Sequence, residues 1–363
     1  MKYKLKDLIQ SISNKFNFAG KSNVIFLNTS DIYDGHISGT KIKPQNLPGQ
    51  AKKSLKNGDI LFSEIRPKNK RFAIVKNIKA EDYVVSTKLM VLRNCNSNIL
   101  DTRYFYFYLT SPIMISYLQS EAESRSGTFP QITFKDTMAD IEINLPPLFE
   151  QKLVVKRIET ISSEIYINNQ INDNLLELMD KLFNSFFPNI NVGYDQIGSF
   201  IKNYDRFRKP LSKKQRSEIP GNYRYIGATS VMDHINQYNF NGIYLLLGED
   251  GTVVDDNGYP ILQYIFGKFW PNNHTHVLKG KDISTEWLYL FFRQRKVSNI
   301  VTGAVQKKIS QKSLHSLTFR SPSKDNYLKF DKIIQPIFKS IRIRMKENSS
   351  LFQLKQILLK RYF

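Results

Sequence analysis

LFEQKLVVKRIETISSEIYINNQINDNLLELMDKLFNSFF, residues 148–187, reads as one long helix. Val154, Ile158, Ile161, Ile165, Asn168, Asn172, Leu175, Met179, Leu182 and Phe186 follow one another at alternating steps of four and three. That alternation is the a/d seam of a coiled coil. Two consecutive seam positions are Asn, a swap that lowers stability and can fix register and partner. At its rise per residue such a helix is about 55 Å long. A rod of that length outgrows one domain and needs a partner along its seam.

The partner lies further down the same chain. An offset of 176 residues carries the seam onto Phe330, Ile334, Ile337, Ile341, Arg344, Asn348, Leu351, Lys355, Leu358 and Tyr362. The offset also pairs Gly127 with Gly303, Ile141 with Leu317, Ile143 with Phe319 and Pro146 with Pro322. The chain is therefore a duplicated unit, each copy a globular part followed by a helix. Two such copies can pack their helices antiparallel and acquire a pseudo-two-fold axis, which matches the local dyad of duplex DNA. The expected fold class is α+β: two mixed α/β domains separated by two long antiparallel helices.

Lys and Arg number 53 against 32 Asp and Glu, a net charge of +21 in 363 residues. That excess points to a polyanionic partner, nucleic acid before an acidic membrane surface. Cys95 stands alone, so the chain holds no internal disulfide or thiolate metal cluster. The first residues lack a signal-peptide core and no apolar run approaches membrane-spanning length, so a soluble cytoplasmic protein without a membrane partner is expected.

Within the first copy, Leu5, Leu8, Ile9 and Ile12 form a short amphipathic segment. Strands are expected at 24–27, 60–62, 72–75 and 89–92, and Asp101 caps a helix carrying Tyr104–Tyr108. The alternation at 141–145 gives a last strand before Pro146-Pro147 releases the chain into the helix. The second copy repeats the order, 225–230 answering 25–30, 241–246 answering 57–62 and 285–290 answering 102–107. The intervening loops diverge in length and residue type, which suits two domains reading two surfaces.

Leu145-Pro146-Pro147-Leu148-Phe149-Glu150-Gln151 leads into the first helix, Ile171-Asn172…Leu182-Phe183…Phe186-Phe187 closes it, and Asn272-Asn273-His274-Thr275-His276-Val277-Leu278 lies in the second copy. With the duplication, these stretches resemble the specificity (S) subunit of type I restriction–modification enzymes over the whole chain. The resemblance implies target-recognition domains at 1–147 and 188–322, and spacer helices at 148–187 and 323–363. Each domain would read half of a bipartite DNA site. The helices would set the spacing and dock methyltransferase (M) subunits, two of them, with restriction/translocase (R) subunits in the full complex. This chain would be non-catalytic and hold no cofactor, S-adenosylmethionine, ATP and Mg belonging to partner subunits. It is short for such a subunit, which implies trimmed domains. The second junction, Ser321-Pro322-Ser323-Lys324-Asp325, lacks the Pro-Leu-x-Glu-Gln part, and Pro336 is expected to interrupt the second helix.

The residues themselves show no Gly-rich cofactor or phosphate loop. A metal site from His274, His276, Asp255 and Asp256 is conceivable, but without a Cys or a third clustered His the expectation is none. Glu249-Asp250 reads as loop acidity. The aromatic runs 104–108 and 287–292 read as core. DNA contacts are expected from the basic loops, namely Arg66, Lys68, Lys70, Arg71 and Arg125 in the first copy. The second copy offers Arg206, Arg208, Lys213, Lys214, Arg216, His274, Lys307 and Lys308. Gln131, Asn272, Asn273 and Gln306 are candidate base readers, since Asn and Gln pair with adenine. Apolar Leu153, Val155, Ile167, Ile171, Leu176, Leu178 and Phe183 lie off the seam and imply a second helix partner. The rival readings are a self-contained metal-dependent nuclease and a structural RNA-binding protein.

Overall fold

The computed structural model describes residues 1–125, 130–303 and 305–363, so Gly127 and its pairing with Gly303 lie outside the described residues. The chain divides into two units, residues 1–165 with 349–363 and residues 166–348. The division falls inside both long helices, so each helix gives one end to each unit.

In the first unit one sheet has the strand order Ile9–Ile12, Leu89–Asn94, Ile60–Ser63, Phe72–Ile74, antiparallel throughout. The amphipathic segment at the start buries Leu5, Leu8, Ile9 and Ile12 and exposes Lys6, Asp7, Gln10 and Ser11, and its second half is a strand. Ile9 pairs with Asn94 and Ile12 with Val91, because pairing beside an existing strand satisfies the backbone that a lone helical turn leaves open. A second sheet runs Thr40–Ile42, Val24–Leu27, Tyr83–Ser86, Ala51–Lys53, with the Val24–Leu27 and Tyr83–Ser86 strands parallel. The sequence reading missed Tyr83–Ser86, four residues in which Val84 and Val85 are both buried and no alternation shows. Helices α1 (Thr102–Leu109) and α2 (Pro112–Arg125) follow. Asp101 caps α1 by accepting from Arg103 N (2.9 Å) and Tyr104 N (3.2 Å). Tyr104, Phe105 and Phe107 pack into the core with Phe62 and Met90, as the aromatic run led one to expect.

The second unit contains the first long helix, α3 (Leu148–Phe186), from residue 166 onward, with α4 (Lys213–Glu218), α5 (Thr285–Arg293) and α6 (Gln311–His315). Its six-stranded sheet has the order Ile201–Asn203, Thr275–Gly280, Phe240–Gly248, Leu262–Pro271, Pro220–Ile226, Val231–Ile235. The first four strands repeat the order of the first unit's antiparallel sheet. Pro220–Ile226 runs parallel to Leu262–Pro271, as Val24–Leu27 runs parallel to Tyr83–Ser86. Duplication is thus visible in topology as well as in sequence.

Helix α3 spans Leu148–Phe186 and α7 spans Lys324–Tyr362. At the start of α3, Gln151 is fully buried. Its amide accepts from Asp101 N (2.9 Å) and donates to Ile99 O (2.8 Å) and Pro146 O (2.9 Å). One side chain thereby ties the strand-to-helix junction to the cap of α1, a physical reason for Gln at that place in the Pro-Pro-Leu-x-Glu-Gln stretch.

In each unit the helix segments pair antiparallel through the seam. In the first, Val154 and Ile158 share a core with Leu358 and Leu359, and Arg157 donates to the Tyr362 hydroxyl. In the second, Phe183 meets Phe330 at 5.6 Å between rings. There Asn168 donates to Glu347 and Asn348 (both 3.0 Å), and Asn348 donates to Asn169 (2.8 Å). Of the two seam Asn, Asn168 thus meets Asn348 of the repeat in a polar layer, while the buried Asn172 Oδ1 has no hydrogen-bond partner among the described residues. Pro336 does not interrupt α7. It removes one backbone hydrogen bond, while Ile334 and Phe338 on either side are fully buried, so packing holds the helix through it.

The off-seam residues separate into three sets, Ile171 and Leu176 being half-buried. Val155 and Phe183 are buried in the unit cores, whereas Leu153, Ile167 and Leu178 are exposed. The apolar stripe is therefore narrower than the sequence indicated.

Candidate nucleic-acid interface

The same loop junction occurs in both units. In the first, the chain leaving Ile60–Ser63 bridges Ile65 to Gln131, and Ile132 N donates to Glu64 O at 2.8 Å. In the second, the chain leaving Phe240–Gly248 bridges Asp250 to Lys308, and Ile309 N donates to Glu249 O at 3.0 Å. Glu64 and Glu249 are equivalent positions 185 residues apart. The 176-residue offset hid that equivalence because the loops between differ in length.

Around the first junction, Arg66 and Gln131 are brought together: Arg66 N donates to Pro130 O at 3.2 Å, and Gln131 donates to the Glu64 carboxylate at 3.2 Å. Burial pushes the Glu64 carboxyl above the usual range, and Lys53, Lys88 and Gln131 pull it back. Arg66 and Lys70 both adopt left-handed backbone, φ 45° and 54°. Lys68 and Lys70 are exposed and lie further along the same loop. Arg71 is half-buried and donates to Ser30 O and Ile32 O, so it braces the loop. Arg125 is exposed and donates to Asp136 O.

In the second unit the loops 249–251, 272–276 and 305–309 converge. Glu249 N donates to His274 O, and Gly251 N donates to Lys307 O, both at 2.9 Å. Asn273, Gln306, Lys307 and Lys308 are exposed there, and His274 is half-exposed with Nδ1 3.7 Å from Asp250. Beneath them lies a charged knot. His276 is fully buried, its Nδ1 2.6 Å from Asp205 and its Nε2 2.9 Å from Ile309 O. Arg208 donates to Glu249 and Thr275 O. Burial raises the Asp205 carboxyl, but the His276 hydrogen bond and charge, Val277 N and Asn203 outweigh it and hold the group below the usual carboxylate range.

Asp205, Glu249 and His276 offer donor atoms within 4.8 Å of one another. This is not the set weighed from the sequence, for Asp255 instead closes a turn by accepting from Asn257 N and Tyr259 N. Arg208 sits on Glu249 and 3.7 Å from Asp205. A guanidinium already placed among these carboxylates does not fit a metal ion in the same position.

The structure gives two more second-unit candidates internal roles. Arg216 pairs with Asp233 (3.2 Å) and lies over the Tyr225 ring, pinning α4 to the Pro220–Ile235 hairpin. Asn272 is buried, its Oδ1 accepting from His274 N at 2.9 Å and its amide 3.7 Å from the Met232 sulfur. Arg206, over the Phe207 ring, and Lys213 and Lys214 on α4 are exposed.

A further basic surface was not read from the sequence. Gly242 and Gly267 face each other across the register of the two central strands, with φ of +129° and +80°. A Cβ at Gly267 would meet nothing within 4 Å, so the pair leaves a notch in the sheet. Lys279 Nζ stands beside it, 4.2 Å from the Tyr244 ring centre and 5.9 Å from that of Tyr204. Burial and neighbouring Lys202 hold the Lys279 ammonium below the ordinary lysine range. Lys268 Nζ lies 4.6 Å from the Tyr238 ring centre. Glycine inside a strand marks a place where another backbone can come close, and that was the signal available in the sequence.

Residues 1–177 and 195–351 match the type I restriction modification DNA specificity domain. The type I restriction enzyme HindI specificity subunit of Haemophilus influenzae is 41% identical over 186 residues, 51% of this chain and 40% of that protein. A putative type I restriction enzyme specificity subunit of the same organism is 30% identical over 129 residues, 35% of this chain and 32% of that one. The matches thus span less than half of either relative's length. Among solved structures, the type I restriction–modification S subunit from M. genitalium aligns over 100% of this chain and 96% of its own, with 16% identity and a TM-score of 0.49. The HsdS subunit from Thermoanaerobacter tengcongensis aligns over the same shares with 16% identity and a TM-score of 0.44.

Proposed function

The chain belongs to the type I restriction–modification DNA specificity family, and from that premise we propose that each of its two units reads one half of a bipartite duplex sequence. The observation that carries this reading is the repeated junction, Glu64–Gln131 in one unit and Glu249–Lys308 in the other, set on one strand order with different loop tips. A shared frame with unlike tips is what two readers of two different half-sequences require. Exposed cations supply the sequence-independent attraction to phosphates. Base contacts fall to side chains at the junctions, Arg66 and Gln131 in the first unit and Asn273, Gln306 and Lys308 in the second.

The chain lends an address and leaves the chemistry to partners. Its long helices present exposed apolar side chains in each unit: Phe149, Leu153 and Ile357 in the first, Tyr166, Ile167 and Ile343 in the second. Such residues on the outer face of an already paired helix suit methyltransferase subunits. S-adenosylmethionine, ATP and Mg then belong to the methyltransferase and restriction/translocase subunits. Among the described residues no helix is long and apolar enough to cross a membrane.

Purified alone, the chain is expected neither to bind S-adenosylmethionine nor to methylate or cut DNA, and to support methylation only when mixed with its methyltransferase partner. Turnover by the isolated chain would overturn the reading, and metal-dependent cutting would restore the nuclease alternative.

A further inference from the structure

A cavity of about 390 Å³ opens in the first unit between the 68–72 segment, the corner joining α1 to α2, and the last turns of α7. Its walls are largely apolar, with Phe72, Phe107, Phe352 and Leu359 among them. Lys68, Lys70 and Lys355 line it against one carboxylate, Asp34, so the lining carries a net positive charge of two. Asp34 lies 3.5 Å from Lys70 Nζ. The Tyr106 hydroxyl, also on the wall, has no hydrogen-bond partner among the described residues.

Lys355 stands at a seam position of α7, where a heptad normally places an apolar side chain. Burial pushes its ammonium below the ordinary lysine range, Asp34 draws it back up, and Lys70 presses it down again. The loop opposite is held in a fixed shape. Asp34 and Lys70 both adopt left-handed backbone, φ 44° and 54°. Asp34 N donates to Lys70 O at 2.8 Å, and Lys68 N donates to the Gln119 side chain at 3.0 Å. Left-handed non-glycine residues persist only where surrounding bonds hold them, and they gather at ligand clamps and other functional sites.

We propose that this cavity binds a phosphate monoester carried on a flat apolar body, the chemistry of a mononucleotide. Its volume and its apolar lining with a few convergent polar groups are those of a small-molecule site. A phosphate monoester carries roughly −1.5 to −2 at neutral pH, which the excess of two lysines balances, whereas a single carboxylate leaves one charge over. The incoming anion also offsets the cost of holding Lys355 away from water. Phe72 and Phe107 supply faces for the flat body, and Tyr106 gains an acceptor. A duplex is far wider than the cavity and does not enter it, although Lys68 and Lys70 also belong to the basic loop beside the first junction.

The test is calorimetric titration of the full chain with adenosine monophosphate, with adenosine and inorganic phosphate as separate arms. Saturable binding at one site is expected, with both fragments at least about tenfold weaker. Lys355→Met is expected to weaken the nucleotide about tenfold or more, while Lys332→Met on the exposed face of α7 leaves it unchanged. Melting followed by circular dichroism shows whether Lys355→Met is folded; if it is not, Lys68→Met takes its place with the same expectation. Absence of saturable nucleotide binding would overturn the proposal. So would adenosine or phosphate binding as tightly as the nucleotide, or an equal loss from Lys332→Met, which would mark diffuse charge attraction.

Discussion

At the residue scale, the basic candidates in the second unit separate by what lies under them. Arg206, Arg208, Lys213, Lys214 and Arg216 look alike in sequence, all in polar loops, yet Arg208 and Arg216 end on carboxylates and carbonyls. Their partners, Glu249 in a loop 41 residues on and Asp233 in a strand 17 residues on, lie beyond any local pattern, so the sequence does not distinguish them. Lys213 and Lys214 remain exposed. Replacing both with Ala is expected to weaken binding to every duplex alike and to lower the slope of log K against log salt by about one unit per lost phosphate contact. Filter binding over a salt series measures it, and a change in preferred bases instead would make them readers. Asp205 gives a pH prediction. Its folded carboxyl is held below its unfolded value, so its stabilisation is present above the unfolded Asp range near pH 4 and is lost as pH falls through the folded value. Between neutral and about pH 4, thermal melting of the wild type and Asp205→Asn should therefore run roughly parallel. Below that, the wild type should lose stability faster than the variant; equal acid sensitivity would remove Asp205 from the account.

At the element scale, the long helices were the most legible part of the chain. A ten-position seam accumulates signal that four-residue strands such as Tyr83–Ser86 lack. The seam positions are buried or half-buried along both helices. What periodicity could not show was that Val155 and Phe183, off the seam, serve the unit cores. The junction was legible as a motif, but its mechanism required coordinates. Gln151→Ala leaves Ile99 O, Pro146 O and Asp101 N without their buried partner, and is expected to cost about 2–4 kcal/mol by denaturant unfolding. A loss below about 0.5 kcal/mol would show that water replaces it. A spacing role for the helices is open to test by insertion. An insertion near Lys181 would fall between Met179 and Phe183, both fully buried, and break the second unit. One heptad placed after Ile165 and another after Asn348 keeps the seam in phase. It adds about 10 Å, which corresponds to about three base pairs of spacer. An active variant with an unchanged spacer would make the helices a docking platform alone.

At the scale of the whole molecule, the duplication seen at an offset of 176 residues reappears as one strand order in two units. The net charge of +21 agrees with a polyanionic partner. Which loops meet was not legible, because insertions between the copies shift Glu64 and Glu249 out of the common offset. The central claim is that two independent readers share one chain. Its most direct measurement is the set of methylated sequences made by the reconstituted complex after residues 1–147 are exchanged for the corresponding part of another family member. The account predicts that one half-sequence changes while the other half and the spacer length stay as in the wild type. A complex in which both halves change together, or neither does, would contradict it.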